Sequence, residues 1–295
     1  MSLDNFIPTV WSGNFLAVLQ KASVFTAPQV VNRNWEGEIK GNGGDRVKIT
    51  QIGPVTVSDY TKNSTSLSFQ TLDDASMFLD VNQSKSFSFA IDDVDAAQAK
   101  GSVMQLAMQD AAYRMKDTVD AYLASMYTQA GVTSGLGTTA TPLTVTAKAS
   151  SGSNISIIEL FSTIAQKLTE ANCPTMGRFI VIPPALEQKL ILASILNVTN
   201  SSTQTQDAYS NGMIGHALGF DILVSNNVSN TSSAKYRVMA GSNVAMTYAE
   251  QINKVEALRL EAKFSDGVKG LMVYGAKVVQ PNALASACVS TAAEA

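Results

Sequence analysis

An α+β chain carrying a long two-armed β-ribbon is what the sequence of 295 residues predicts. Three observations carry that reading. From Arg46 onward apolar and polar residues alternate, in "RVKITQI", "VTVSDY", "SLSFQTL" and "KSFSFAI", which is the two-residue period of half-buried strands. From Asp92 to Ala130 the period changes to three and four, through Val94, Val103, Leu106, Met115, Val119, Leu123 and Met126, as on one face of a helix. Beyond Gly131 helical and strand patterns are interleaved, so both kinds of element share one body there.

Taken in order, residues 1–45 set isolated large side chains, including Phe6, Trp11, Phe15, Phe25 and Trp35, among Pro8, Pro28 and a glycine cluster. This predicts an extended arm with no core of its own, so that removing residues 1–30 leaves a folded protein. Gly53-Pro54 and "TKNSTS" break the alternating runs into a ribbon with a polar tip over 60–66. A two-stranded ribbon is marginal alone in water, so Val47, Ile49, Val55, Val57, Leu67, Phe69, Phe87 and Phe89 are expected to need cover from outside. Asp92 and Asp93 fit the positive end of a helix, Gly131 its stop, and Gly101 a weak point within it. At ~1.5 Å per residue an unbroken helix over 92–130 would be about 58 Å long, with Met104, Met108, Met115 and Met126 as core filling. The remainder reads as a helix over 155–171, a buried strand "RFIVIPP", a helix over 185–195 and a Ser/Thr/Asn-rich loop. The stretches "ALGFDILVSNNV", "KYRVMAGSNVAMTY", "VEALRLEAKF" and "KGLMVYGAKVVQ" follow, with a hairpin signal at Phe264-Ser265-Asp266-Gly267 between the last two.

Composition excludes several function classes. Charged residues are 15% of the chain, against about 25% in ordinary soluble domains, so much of the surface is expected to be covered by something else. A net charge of -3 gives no overall attraction to nucleic acid or anionic membrane. Cys173 and Cys288 are too few for a disulfide framework or a zinc site and read as small buried hydrophobes. His216 is the only histidine, which leaves no multi-histidine metal set, and its setting in "GMIGHALGF" suits a packed or solvent-facing residue better than a catalytic base. The glycines of "GNGGDRVKIT" run into a strand, whereas a phosphate-cradling loop needs a helix N-terminus after it. Asp92, Asp93 and Asp95 serve the helix dipole rather than a cation. No cofactor, metal or catalytic residue is expected, and no run of 18 apolar residues occurs that would span a membrane.

The phrases "FIPTVWSGNFLAVLQKASVF", "VVNRNWEGEIKGNGGDRVKI" and "GPVTVSDYTKN", followed by a spine helix, a mixed middle and closing strands, resemble the major capsid proteins of tailed bacteriophages. Their fold is named after the Hong Kong 97 phage, and the local match is similar to the branch related to Salmonella podovirus coats. The resemblance implies an N-terminal arm at 1–45 and an extended E-loop ribbon at 46–90. It implies a P-domain at 91–134 and 246–295, and an A-domain at 135–245. Gly41, Gly43 and Gly44 become the hinge between arm and loop. Subunit contacts fall on Phe6, Trp11, Phe15, Trp35, Arg46, Asp59, Tyr60, Lys62, Leu67 and Phe69. Further implied are hexamers and pentamers of this chain in an icosahedral virion shell around double-stranded DNA, assembled in the host cytoplasm with a portal protein. Because the arm begins almost at Met1, a separate scaffolding protein or an already processed chain is implied too. Two other readings stand beside this one: an encapsulin-like compartment shell, and a cytosolic α/β enzyme using His216.

Overall fold

A computed structural model describes residues 23–37, 46–52, 55–57, 59–62, 69, 74–92, 103–148, 154–193, 213–231, 234–260 and 264–292. Strands β1 (Arg46–Ile52) and β2 (Asp74–Asp80) form the ribbon, antiparallel from Arg46↔Asp80 to Ile52↔Asp74. Their alternation puts Val47 and Ile49 on one face, and that face is closed within the chain. Leu79, Val81 and Ala249 complete a small buried cluster there, with Trp35, Met77, Val273 and Val279 packed around it. The expectation that Val47 and Ile49 need outside cover is therefore corrected: the root of the ribbon has a core of its own.

Strand β3 (Gln83–Asp92) was expected to belong to the ribbon, through "KSFSFAI", and does not. It pairs antiparallel with β11 (Ser265–Val278), which pairs in turn with β10 (Met246–Arg259), in a three-stranded sheet of order β10-β11-β3. The reason is complementary shape. Phe87 lies in register with Gly270, where an added Cβ would overlap the Phe87 ring, and Phe87 stacks on Phe89 at 6.2 Å between ring centres. The ribbon root meets the same strand at Gly275, where a Cβ would overlap the backbone of Asp80 and Val81.

Helix α1 (Val103–Ala124) runs on into a 3-10 turn at Ser125–Gln129. The expected helix start at Asp92 is wrong: Asp92 ends β3, paired with Ser265. Asp93, Asp95 and Gly101 lie outside the described residues. Gly131 is not a left-handed cap either. Its N–H donates to the Pro281 carbonyl at 2.9 Å, and the backbones are so close there that a Cβ would stand 2.8 Å from Pro281. Among the described side chains of α1, deep burial is confined to the C-terminal part, through Val119, Asp120, Leu123 and Ala124, whereas Met108 and Met115 are half-buried. Of the methionines expected to fill a core whose side chains are described, Met126 alone does so fully.

The second body is a seven-stranded sheet of order β5-β4-β12-β9-β6-β8-β7. Its strands are β4 (Leu143–Thr146), β5 (Ile155–Ser156), β6 (Arg178–Ile182), β7 (Met213–Ala217), β8 (Phe220–Val224), β9 (Lys235–Ser242) and β12 (Leu284–Thr291). Central β6 is buried at every position, as "RFIVI" requires. Helix α2 (Ile157–Glu170) starts at a Ser156 cap that accepts from the Glu159 N–H at 3.1 Å. It turns Ile157, Leu160, Phe161, Ile164 and Leu168 inward, and Phe161 meets Phe220 edge to face. Helix α3 (Pro184–Leu192) has proline at its first turn. Three expectations change here. "ALGFDILVSNNV" supplies only the turn and β8 of a hairpin whose first strand, β7, lies almost wholly before it, the chain reversing through Leu218 (φ 53) and Gly219 (φ 81). "KYRVMAGSNVAMTY" is cut by a turn at 243–245 into β9 of one sheet and β10 of the other. The final hairpin closes before Ser265, because Asp266 is already paired with Arg259. The two sheets are joined by the turn at 243–245 and by residues 279–283, and these joints are bonded together: Val279 N–H and Gln280 N–H both donate to the Ala245 carbonyl, at 2.8 and 3.2 Å.

The segment 23–37 is part of the subunit, which corrects the picture of a free arm over 1–45. Val24, Phe25, Val30 and Val31 are buried in the main core. Asn32 is bonded on both sides to β10, its N–H to the Met246 carbonyl and its carbonyl to the Tyr248 N–H, each at 3.0 Å. Asp120, fully buried on α1, holds the start of this strap. Its Oδ1 accepts from the Phe25 N–H at 2.7 Å and the Ser23 hydroxyl at 3.0 Å, and its Oδ2 accepts from the Asn227 amide at 2.9 Å.

Candidate assembly surface

Beyond its root the ribbon changes character. Val57 is 93% exposed and Phe69 100% exposed, and Val55 and Tyr60 are about two-thirds exposed. Asp59 and Lys62 are also exposed. Large apolar side chains standing in water are not what a finished surface presents. Phe264, just before β11, is a further exposed apolar side chain, at 81% exposure. The sequence reading took it only as turn chemistry, and its one signal was an aromatic where a turn prefers Gly, Asn or Asp.

Of the residues expected to form contacts, Arg46 and Trp35 have partners in their own chain. Arg46 is ion-paired with Asp80 across the ribbon and lies over the Phe78 ring at 4.8 Å. Trp35 is half-buried against the ribbon-root cluster. Phe6, Trp11, Phe15, Leu67, Gly41, Gly43 and Gly44 lie outside the described residues. Between α1 and the three-stranded sheet a cavity of about 270 Å³ remains, lined by Met108, Met115, Phe87, Val255 and Met272. Beside it Arg33 lies over the Tyr248 ring at 5.0 Å. Burial, with Glu250 next to it, pushes the Tyr248 phenol up, so it stays protonated and donates to Glu250 at 3.1 Å. The outer side of the β10–β11 hairpin is charged: Glu256 sits 2.5 Å from Lys254 and 3.0 Å from Lys269, and hydrogen bonds from the two ammonium groups bring its carboxyl down to about 2.

The groups that could carry chemistry are dispersed. His216 stands on β7 with its side chain 66% exposed and Nδ1 2.9 Å from Asp221 Oδ1 on the neighbouring strand, an ordinary cross-strand pair. Cys173 and Cys288 are both buried, as expected, and burial pushes the Cys173 thiol up against the opposing pull of Arg178. Among the described residues no group of three or more His, Cys, Asp or Glu side chains is gathered as a metal would need. No helix among them is long and apolar enough to cross a membrane.

A closed interior with exposed apolar projections defines a class: a structural subunit whose burial is completed by other molecules. The comparisons specify it. The chain matches the model of the Phage_capsid_4 family, phage capsid proteins, over residues 76–287, and it belongs to that family. A chain from Mycobacterium phage Che8 is similar at 29% identity with a TM-score of 0.76, covering 97% of this chain and 98% of that one. The capsid of cyanophage P-SCSP1u (15% identity, TM-score 0.70) covers 100% of this chain and 95% of its own. The capsid of Ralstonia phage GP4 (14%, TM-score 0.64) covers 98% and 96%. No curated protein sequence matches. The chain is a tailed-phage major capsid protein with the α+β Hong Kong 97-like fold, a structural component of the virion capsid that assembles with itself into a shell. Its family is one of structural proteins, and neither the compartment-shell nor the enzyme reading is favoured.

Proposed function

We propose that this subunit forms the hexamers and pentamers of an icosahedral shell enclosing double-stranded DNA, and that the ribbon beyond Ile52 is its principal contact with a neighbouring copy. The observation that carries the contact is a contrast in burial: Val47, Ile49 and Leu79 are sealed at the root while Val57 and Phe69 stand in water. Residues 1–22 act as the assembly arm, 46–80 as the E-loop, and the three-stranded sheet with α1 as the P-domain. The seven-stranded sheet serves as the A-domain, together with β12 from the C-terminus. Gly41, Gly43 and Gly44 are the hinge, and Asp59, Tyr60, Lys62 and Phe264 join Phe69 at contacts. The unfilled space beside Met108 and Met115 supports a surface completed by another copy. Assembly takes place in the host cytoplasm with a scaffolding protein and a portal, and the near-neutral charge supports DNA held by confinement more than by coat contacts.

The test is Phe69→Asp. It should leave thermal unfolding of the isolated subunit unchanged and cost about 2–4 kcal/mol per contact by burying an unpaired charge, so that closed particles disappear from sedimentation profiles. Unfolding of the subunit would put Phe69 in an internal core; parent-like particle yield would remove the ribbon from the interface.

A further inference from the structure

The Asp120 carboxylate does something the fold alone does not require. It joins three parts of the subunit that no strand pairing connects: the strap at Ser23, Phe25 and Thr26, helix α1, and the loop after β8 at Asn227. The Asn227 amide is itself shared, donating also to Asp117 Oδ1 at 2.8 Å, one turn before Asp120 on the same helix. A buried carboxylate normally needs a cation or several donors. Here the donors come from the strap on Oδ1 and from the second body on Oδ2, so the carboxylate cannot rotate to favour one without losing the other. Val24 and Phe25, both fully buried, flank the contact and keep water from replacing it. The main-chain position of Ser23, the point from which everything N-terminal to it departs, is thereby set by α1 and by the β8 loop together.

We propose that Asp120 is a positioning residue for shell assembly, a latch that fixes where and in which direction the N-terminal residues leave the subunit. This rests on the reading of residues 1–22 as an assembly arm. With the latch broken, the strap loosens while the two sheets keep their pairing, and subunits associate with arms misdirected.

The latch is tested by amide hydrogen exchange on the isolated subunit and by electron microscopy of assembly products, for Asp120→Ala, Asp120→Asn and Asn227→Ala. Asp120→Ala should speed exchange at Phe25 and Thr26 at least tenfold relative to β6 amides and give irregular particles or open sheets. Asp120→Asn keeps an oxygen for the Phe25 amide but turns an amide donor toward the Asn227 amide, so it should give an intermediate increase of about threefold, with closed shells. A purely packing role for Asp120 would leave exchange at Phe25 at the parent rate both in the nearly isosteric Asp120→Asn and in Asn227→Ala. That milder variant frees Oδ2 alone, should give an intermediate increase, and keeps the test open should Asp120→Ala not fold. Unchanged exchange at Phe25 in a folded Asp120→Ala or Asn227→Ala subunit overturns the latch. So do uniform closed shells from Asp120→Ala. Normal shells from a chain lacking residues 1–22 would instead overturn the arm reading, with the exchange data still deciding the latch.

Discussion

Phe25→Ala separates a strap that is part of the subunit from an arm that merely leans on it. Phe25 is fully buried between Val24 and the α1 core, and its N–H is bound by Asp120 at 2.7 Å. Truncating a buried phenylalanine costs about 3–5 kcal/mol, the lost transfer free energy plus the cavity left behind. Domains of ordinary stability have only ~5–15 kcal/mol in total, so a single residue near the N-terminus would remove roughly a fifth or more. At roughly 2–4 °C per kcal/mol, the unfolding midpoint should fall on the order of 10 °C. Circular dichroism melts of the isolated subunit measure it. Deleting residues 1–31 should be at least as damaging, since Val24, Phe25, Val30 and Val31 go together. A midpoint within about 1 °C of the parent for both variants would refute the reasoning and restore the strap to a free arm.

Two further outcomes follow from the geometry. Leu218 holds φ at 53, a left-handed backbone that costs a branched apolar side chain about 1 kcal/mol, and it is half exposed; Leu218→Asn should therefore stabilise the subunit by ~0.5–1 kcal/mol in denaturant titrations, and destabilisation would mean that the side chain is held by contacts. Glu256 has its carboxyl lowered from 4.5 to about 2 by Lys254 and Lys269, so its contribution is complete above about pH 4.5 and is lost as pH falls toward 2; side-chain NMR should give a midpoint near 2, and Lys269→Met should move it upward, whereas a midpoint unmoved by that change would dissociate the two groups.

Periodicity in the sequence found the helices and strands β1, β3, β6, β8, β9, β10 and β11, because alternation and the 3.6-residue repeat are local properties, but not β2, β4, β5 or β7. Partners are not local. "KSFSFAI" reads as a strand in any company, and it is Gly270, far away in the chain, that draws Phe87 to β11 instead of to the ribbon. Strand β12, "LASACVST", escaped notice because small residues buried on both faces show no alternation, although its first six positions are all buried. Phe25 was visible as an isolated aromatic, but its burial depends on α1 and its anchoring on Asp120, a carboxylate that helix periodicity would place on a polar face. At the assembly surface the alternating ribbon exposed Phe69 to sequence reasoning, whereas the covered root at Val47 and Ile49 depends on Ala249, about two hundred residues on.

The bonded joint between the sheets, where Val279 and Gln280 share the Ala245 carbonyl, has a mechanical consequence. Two short crossings tied to each other cannot bend independently, so a torque applied to the edge of one sheet is delivered to the other almost without compliance. A particle with both five-fold and six-fold environments demands subunits that tolerate different tilts. A tile stiff across its waist must find that tolerance at its rim, in the long ribbon and in how it seats against the next tile. The elasticity of the shell would then be a property of its seams.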